Sequence, residues 1–372
     1  MSIRILHIIG SLRLGGAQVV LKQIVEHGDS QRFEHFVYPL RPANPEISIT
    51  KNVLSHSRFN YDPRKLTDIL RICRKYKIDI IHTHLHKDAI AGLLSTFFQN
   101  VPVVVHEQGA IFLSGLQYRG FRFLLRRLHK RAAALIASSN AAKKQLHHIA
   151  GVEDGRIQMI HNGVDLELFT QDTTARQKIR EHLKLSPQEK VIGFLGRLHP
   201  DKGTDILIEA AGIFLKQDTS LRLLLVGNGP MENSLRRRVM ELQIADRVYF
   251  AGFQQRHFEW VNAFDLGCMP SRSESFPLVA LELMSMKVPL ICPRIGGLAD
   301  IIEDRRNALV LSDGTPQEIS RRIMQMLADT KLQDVCIENG YALSRQFGIP
   351  EFIKKIEAVY LQVFHAGHRH TS

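Results

Sequence analysis

The sequence predicts an α/β protein of two doubly wound domains, and three observations support this fold class. The chain has 372 residues, which exceeds the size at which one hydrophobic core usually stops growing. Short apolar runs alternate with helical segments, and such continuous runs are typical of parallel strands covered on both faces. After a polar stretch from Thr170 to Glu189 the alternation starts again. We therefore expect two domains, with a boundary after residue 168.

The composition indicates a folded protein that attracts anions. Its hydrophobic content of 44% and charged content of 23% are ordinary for a globular protein, and its net charge of +12 favours anionic partners. These partners could be nucleic acid, anionic lipid or phosphorylated small molecules. No apolar run approaches the roughly 20 residues needed to span a bilayer. The four cysteines lack CxxC spacing, so we expect a cytoplasmic protein without disulfides. Composition leaves the oligomeric state open.

The first half begins with a strand, a glycine loop and a helix. The apolar run from Ile3 to Ile9 precedes a loop that contains Gly10, Gly15 and Gly16. Gly15 and Gly16 would let a ligand approach the backbone, with helix amides directly behind them. The spacing is not G-x-G-x-x-G, which disfavours a dinucleotide. Further strands are predicted at 33–40, 78–84, 101–107, 134–139 and from 157, with helices near 63–77, from 88, at 118–133 and at 140–150.

Histidines fall at the ends of two predicted strands of this first domain. His82, His84 and His106 stand at carboxyl ends, where ligands bind in parallel sheets. His82, His84 and His86 alternate, so a metal site is one alternative. No carboxylate or cysteine stands at ligand spacing, however, and we favour a polar or acceptor-contacting role without a metal.

The segment from Tyr118 to Ala133 predicts a basic amphipathic helix. It has no acidic residue, and apolar side chains interleave its basic residues. Such a helix either lies on an anionic membrane surface or presents an ordinary solvated face. A nucleic-acid patch is disfavoured because no binding motif accompanies it. The basic residues assigned to this acceptor or membrane side, together with His84, are Arg119, Arg122, Arg126, Arg127 and Lys130.

The second half contains a predicted anion site in the loop GRLHPDKG. Arg197 and Lys202 lie between a strand end and a helix start, where a guanidinium, an ammonium and helix amides can all contact a diphosphate. The turns that contain Gly227, Asn228 and Gly252 follow the next two strands and would line a base pocket. No Asp-x-Asp occurs to hold a divalent metal, so the positive charges would bind the diphosphate themselves.

The stretch PSRSESFPLVALELMSMKVP places two carboxylates around a turn-to-helix junction. We expect Pro277 to be the first helical residue, which leaves the amides of Leu278 and Val279 free to bind a phosphate. Glu274 precedes the helix and Glu282 lies along it. Carboxylates beside an anion site suggest a ligand with both phosphate and hydroxyls, such as a nucleotide sugar. An ordinary capped helix with two solvated glutamates is the alternative.

Taken in order, these motifs resemble family 4 of the retaining glycosyltransferases, over essentially the whole chain. The matching motifs are GGAQ, HEQG, HNGVD, GRLHPDKG, VGNGP, AGF and the spacing of Glu274 and Glu282. The resemblance implies the GT-B architecture, with two facing Rossmann-like domains and an interdomain cleft. Residues 1–168 would form the acceptor side, completed by a final helix at 350–364, and residues 169–349 the donor-binding domain. Residues 365–372 would form a tail.

The resemblance also implies roles for individual residues. Arg197 and Lys202 would bind the donor diphosphate, and Glu282 the ribose hydroxyls. Glu274 would contact the transferred sugar, and His106 would border the reacting sugar. The implied catalytic residues are His106, Arg197, Lys202 and Glu274. The implied donor-binding residues are Gly15, Gly16, Arg197, Lys202, Gly227, Asn228, Gly252, Glu274, Ser275, Phe276, Pro277, Leu278 and Glu282. Ser275 and Pro277 stand where the family often has glycine, which leaves the donor sugar open.

The expected activity is retaining, metal-independent transfer from a nucleotide-diphosphate sugar to a hydroxyl of a saccharide acceptor. A UDP-sugar is the favoured donor and GDP-mannose the second. The acceptor would be lipid-linked, in cell-surface polysaccharide assembly, with the enzyme peripheral on the inner membrane face. No cofactor and no nucleic acid are expected. The alternatives are a GT-B epimerase and a non-catalytic nucleotide-sugar-binding subunit.

Overall fold

The computed structural model describes residues 2–13, 15–41, 47–49, 52–54, 64–109 and 116–368, apart from the side chains of 116–121 and 368. The chain divides into two compact units. The first unit contains Met1–Gly163 and Ile349–Ser372, and the second contains Val164–Gly348. The sequence placed this boundary after residue 168.

The first unit is built on a parallel sheet of six strands flanked by helices. Its strands are β1 (Ile3–Ile9), β2 (Phe33–Pro39), β3 (Ile80–His84), β4 (Val103–Glu107), β5 (Ala134–Ala137) and β6 (Ile157–Met159), in the order β2-β1-β3-β4-β5-β6. Its helices are α1 (Gly16–His27), α2 (Arg64–Tyr76), α3 (His86–Ser95), α4 (Leu116–Leu128), α5 (Asn140–Ala150) and α13 (Ile349–His368). The last helix packs on α1 and β3.

The second unit is built in the same way. Its strands are β7 (Lys190–Leu195), β8 (Leu221–Val226), β9 (Val248–Gly252), β10 (Leu266–Cys268), β11 (Leu290–Pro293) and β12 (Leu309–Leu311), in the order β12-β11-β10-β7-β8-β9. Its helices are α6 (Thr173–His182), α7 (Thr204–Gln217), α8 (Glu232–Glu241), α9 (His257–Val261), α10 (Leu278–Ser285), α11 (Pro316–Ala328) and α12 (Thr330–Ser344). Two parallel sheets flanked by helices confirm the predicted fold class.

The cores explain why these strands are so apolar. In the second unit, α7 buries Leu207, Ile208 and Phe214 against the sheet. Each such side chain contributes about 1.5–3 kcal/mol by leaving water. In β7, Gly193 is required because the ring of Phe264 lies over it, where a Cβ atom would stand 2.0 Å from the ring.

In the first unit the main apolar core covers one face of the sheet, and the opposite face carries histidines. The apolar core includes Leu6, Ile81 and Val105. His7 and His82 are register partners across β1 and β3, and His84 and His106 are partners across β3 and β4. Because partners in a parallel sheet share a face, these histidines form one layer.

Several predicted element bounds are wrong. Helix α3 begins at His86 instead of residue 88. Helix α13 continues to His368, so residues 365–368 extend the helix instead of belonging to the predicted tail. Helices α6 and α9 were not predicted, because α6 buries only Ala175 and α9 only Val261. Within the described residues, no helix has the length and apolar character needed to cross a membrane.

Candidate active site

Arg197, Lys202 and Glu274 lie on loops at the point where the strand order of the second sheet reverses. Strands β7 and β10 are neighbours there, although β8 and β9 follow β7 in the chain. Ligands of doubly wound sheets bind beyond the carboxyl ends of the strands at such a position. The loop after β7 carries Arg197 and Lys202, and the loop after β10 carries Glu274. The fold thus brings these two predicted segments to one edge.

Lys202 and Glu274 form an ion pair at this edge. The Nζ atom of Lys202 lies 2.8 Å from Oε1 of Glu274, and the Ser271 hydroxyl donates to the same oxygen at 2.6 Å. The side chain of Glu274 is only 6% exposed, whereas that of Lys202 is 23% exposed. Arg197 is half-exposed, and its guanidinium lies 3.5 Å from Asp201. An anion can therefore reach Lys202, while the Ser271 hydroxyl holds the buried Glu274 carboxylate in place.

Arg272, which no sequence motif indicated, joins the two loops. Its guanidinium donates to both carboxylate oxygens of Asp205, at 2.8 and 2.7 Å, and to the Pro200 carbonyl at 2.6 Å. Its backbone N–H donates to the Asp201 carbonyl at 2.8 Å. A bidentate arginine pair fixes geometry as well as charge. No spacing rule pairs Arg272 with Asp205, so only the fold reveals the contact.

Two glycines after β11 support the Glu274 loop from behind. Gly296 has a φ of +50°, and a Cβ atom there would stand 1.8 Å from the Glu274 carbonyl oxygen. The Gly297 N–H donates to that carbonyl at 3.1 Å. The glycine pair was visible in the sequence, but its role depends on the loop of Glu274, which follows a different strand.

The predicted glycine turns lie against the β7 loop. Gly227 has a φ of +134°, and a Cβ atom there would stand 2.0 Å from the Gly196 carbonyl oxygen. The Leu198 N–H donates to the Asn228 carbonyl at 2.9 Å, and the Gly227 N–H to the Gly252 carbonyl at 2.8 Å. Gly227, Asn228 and Gly252 therefore share the sheet edge with Arg197. Their role in a base pocket remains a prediction.

The start of α10 differs from the prediction. Pro277 caps the helix, with φ of −89° and ψ of 75°, and the first helical residue is Leu278. The Leu278 N–H donates to the Phe276 carbonyl at 3.1 Å, so it is not free to bind a phosphate as expected. Of the two predicted amides, that of Val279 has no backbone acceptor among the described residues. Ser275 is half-buried, and Phe276 is buried.

Glu282 is a buried carboxyl that has no hydrogen-bond or ion-pair partner among the residues that the structure describes. It lies on α10, and burial raises its pKa to about 8. Within the described part of the second unit, no hydrogen-bond donor contacts this carboxyl. Because a pKa of about 8 keeps it largely protonated at neutral pH, it can both donate to and accept from a ligand hydroxyl.

The candidate residues of the first unit lie in two places. Helix α1 begins at Gly16, after the extended Gly15, and a Cβ atom on Gly16 would meet nothing within 4 Å. His84 and His106 are fully buried, and both are hydrogen-bonded to the Gln108 side chain, at 3.0 and 3.1 Å. Burial lowers the pKa of His84 to about 3 and places that of His106 well below its usual value, so both rings are neutral.

The basic helix α4, the 3₁₀ turn that follows it (His129–Arg131) and the turn after α3 together expose a basic aromatic patch. Its exposed members are Phe97, Phe98, Phe123, Leu124, Arg126, Arg127, Lys130 and Arg131. The Arg131 guanidinium lies 4.1 Å from the Phe97 ring centre, and that of Arg127 lies 4.7 Å from the Phe123 ring centre. Arg122 is partly buried, and the Arg119 side chain lies outside the described residues.

Comparison with known proteins gives matches to both units. The family model described as "Glycosyltransferase Family 4" matches residues 14–168, and that described as "Glycosyl transferases group 1" matches residues 175–343. D-inositol 3-phosphate glycosyltransferase 2 of Catenulispora acidiphila is 30% identical over 290 residues, which cover 73% of this chain and 67% of the relative. D-inositol 3-phosphate glycosyltransferase of Jonesia denitrificans is 29% identical over 301 residues, which cover 76% of this chain and 71% of the relative.

Solved structures match the whole fold. The complex of Anabaena HepE with UDP-glucose has a TM-score of 0.81 at 22% identity, covering 96% of this chain and 99% of HepE. Sucrose-phosphate synthase from Thermosynechococcus elongatus has a TM-score of 0.83 at 21% identity, covering 98% of this chain and 100% of the synthase chain. At these identities the likeness shows the fold alone.

Proposed function

The chain belongs to glycosyltransferase family 4, and we propose that it transfers a sugar from a UDP-sugar to a hydroxyl of a saccharide acceptor, with retention and without a metal on the diphosphate. The observation that carries this proposal is the ion pair of Lys202 with Glu274, at the sheet edge whose β7 loop also carries Arg197. One ligand that has both a diphosphate and sugar hydroxyls would engage the cations and the carboxylate together. We choose uridine as the nucleoside because solved complexes of HepE, which has the same fold, contain UDP and UDP-glucose.

The chemistry follows from the charges of this edge. The acceptor oxygen would form a bond to the anomeric carbon while the bond from that carbon to the diphosphate breaks. Arg197 and Lys202 would stabilise the negative charge that develops on the leaving diphosphate, which is electrostatic catalysis by fixed charges. The acceptor would attack the face from which the diphosphate leaves, and its proton would pass to a leaving phosphate oxygen. Glu282 would hold the ribose.

Thermal shifts with free nucleotides test the donor assignment. A ligand that binds only the folded state stabilises it by about 2.7 kcal/mol at 100 times its Kd. We expect UDP to raise the melting temperature by a few degrees, more than GDP or ADP at the same concentration. The Lys202→Ala variant should lose most of this shift, whereas Lys216→Ala, which alters an exposed lysine of α7, should keep it. A larger shift with GDP would overturn the UDP assignment.

We further propose that the acceptor is lipid-linked and that the basic aromatic patch docks the enzyme on an anionic membrane surface at the inner face. Exposed phenylalanines beside exposed arginines match a surface that is apolar below and anionic at its headgroups. The arginines already lie over two of these rings, so ring insertion and headgroup contact can occur together.

Vesicle flotation tests the docking. Each basic residue near an anionic membrane contributes about 1 kcal/mol, so Arg126→Ala with Arg127→Ala should weaken partitioning roughly 30-fold. The control pair is Arg236→Ala with Arg237→Ala, which removes two exposed arginines of α8 in the second unit. Equal binding to neutral and anionic vesicles, or equal losses in both pairs, would contradict the patch and favour a soluble acceptor.

A further inference from the structure

A layer of five buried histidines lies on one face of the first sheet. Three of them, His7, His35 and His82, have no role in the proposed transfer reaction. The layer consists of His7, His35, His82, His84 and His106, and each is at most 2% exposed. Imidazoles are seldom gathered in a dry interior, because each ring has two polar nitrogens to satisfy.

Three of these rings converge on one point. One ring nitrogen from each of His7, His82 and His84 lies within 4.8 Å of the other two. Nδ1 of His7 and Nε2 of His84 lie 3.1 Å apart. Nitrogens that share a tetrahedral Zn²⁺ at about 2.0–2.1 Å lie about 3.3 Å from each other. Small ring movements would therefore bring the cluster to ligand distances.

The second nitrogen of each ring is already held by a buried neighbour. Nε2 of His7 lies 2.9 Å from Nδ1 of His35, and Nδ1 of His84 lies 3.0 Å from the Gln108 amide. Nδ1 of His82 lies 2.6 Å from the Tyr360 hydroxyl. Metal-ligating histidines are held in this way, because a hydrogen bond at one nitrogen fixes the ring and leaves the other for the ion.

The remaining nitrogen of His82 is an unsatisfied buried atom. His82 is fully buried, and its Nε2 has no hydrogen-bond partner among the described residues. The Gln108 Oε1 atom also lacks a partner there, and rotation of the carboxamide would let it accept from Nδ1–H of His84. His84 could then present a lone pair at Nε2.

We propose that His7, His82 and His84 bind one late first-row transition-metal ion, with Zn²⁺ as the reference ion, in a site that joins β1 to β3. Imidazole ligands suit zinc, copper and nickel, and three protein ligands leave one position for water. No carboxylate or thiolate of the described residues joins the group. Its ligands belong to the first unit, whereas Arg197 and Lys202 belong to the second, and none of the three histidines is assigned to the diphosphate.

The test measures metal bound to the full chain after removal of any polyhistidine tag. Because all three rings are buried, the ion should be acquired during folding, so the protein is refolded with Zn²⁺ or with Co²⁺ and then dialysed. We expect one tightly held ion per chain by elemental analysis. With Co²⁺ we expect visible absorption bands from coordination by nitrogen. Wild-type protein that retains no ion after this treatment would overturn the proposal.

Variants assign the ion to the cluster. His7→Gln and His82→Gln should each weaken binding at least 100-fold. Tyr360→Phe keeps the ring but removes the hydroxyl beside His82, and should weaken binding about 10- to 100-fold. Circular dichroism tests whether each variant folds. If a histidine variant does not fold, metal binding by Tyr360→Phe tests the assignment of the ion to this cluster.

Two controls separate this site from other histidines. His129→Gln alters a buried histidine of the same unit whose Nδ1 lies 2.9 Å from the Leu125 carbonyl, and it should leave binding unchanged. His365→Ala with His368→Ala tests weak binding by the histidines near the end of α13 and should also have no effect. Retention of the ion by His7→Gln and Tyr360→Phe, or its loss from the control with both terminal substitutions, would contradict the assignment.

Discussion

Lys202→Ala is expected to lower kcat/KM for sugar transfer by about 10²- to 10³-fold, which corresponds to about 2.7–4 kcal/mol of lost transition-state stabilisation. The substitution removes a cation that would face the leaving diphosphate. It also leaves the Glu274 carboxylate, only 6% exposed, with Ser271 as its remaining side-chain partner among the described residues. The measurement is initial rate with a UDP-sugar and a saccharide acceptor, alongside circular dichroism to confirm folding.

A matched set of variants identifies the cause of this loss. Lys202→Arg keeps the charge but not the compact ammonium, and should recover part of the rate. Lys216→Ala removes an exposed lysine from α7 and should stay within twofold of the parent. If Lys202→Ala retains more than a third of the parent activity, the assignment of Lys202 to the diphosphate is wrong.

Gly296→Ala is expected to cost about 3 kcal/mol of stability and to weaken UDP binding at least tenfold. Part of the cost, about 1–2 kcal/mol, comes from placing a side chain at a φ of +50°. The rest comes from the Cβ atom, which would stand 1.8 Å from the Glu274 carbonyl oxygen and must displace that loop. Urea unfolding midpoints and UDP titration measure the two effects.

Gly314→Ala provides the control for backbone strain alone. Gly314 has a φ of +63°, but a Cβ atom there would meet nothing within 4 Å. It should cost only about 1–2 kcal/mol and leave UDP affinity unchanged. Equal effects at the two positions would show that the contact behind Glu274 has no influence on the site.

The sequence predicted most strands because parallel strands buried on both faces are continuous apolar runs. Helix α6 was missed for the opposite reason: only Ala175 of its residues is buried, so no apolar periodicity marks it. The start of α10 was also misplaced. Proline is compatible with the first helical position, but here Pro277 has a ψ of 75° and lies outside the helix.

The candidate site was predicted as residues, but its contacts were not. Lys202 and Glu274 were both named from sequence, yet they are 72 residues apart and their ion pair depends on the adjacency of β7 and β10. The histidine cluster shows the same limit. From sequence spacing, the candidate metal site was His82, His84 and His86. In the structure the cluster contains His7 of the neighbouring strand β1 instead of His86.

Helix α13 gives the first unit a particular order of synthesis. The unit consists of two segments, 1–163 and 349–372, with the whole second unit between them. The hydrogen bond between His82 and Tyr360 joins residues 278 positions apart. On the ribosome, the second unit is therefore synthesised before α13. Until α13 is made, β3 lacks the helix that packs on it and that hydrogen-bonds His82. Contacts this distant in sequence slow folding, and a nascent chain would present the histidine face of the first sheet to chaperones for much of its synthesis.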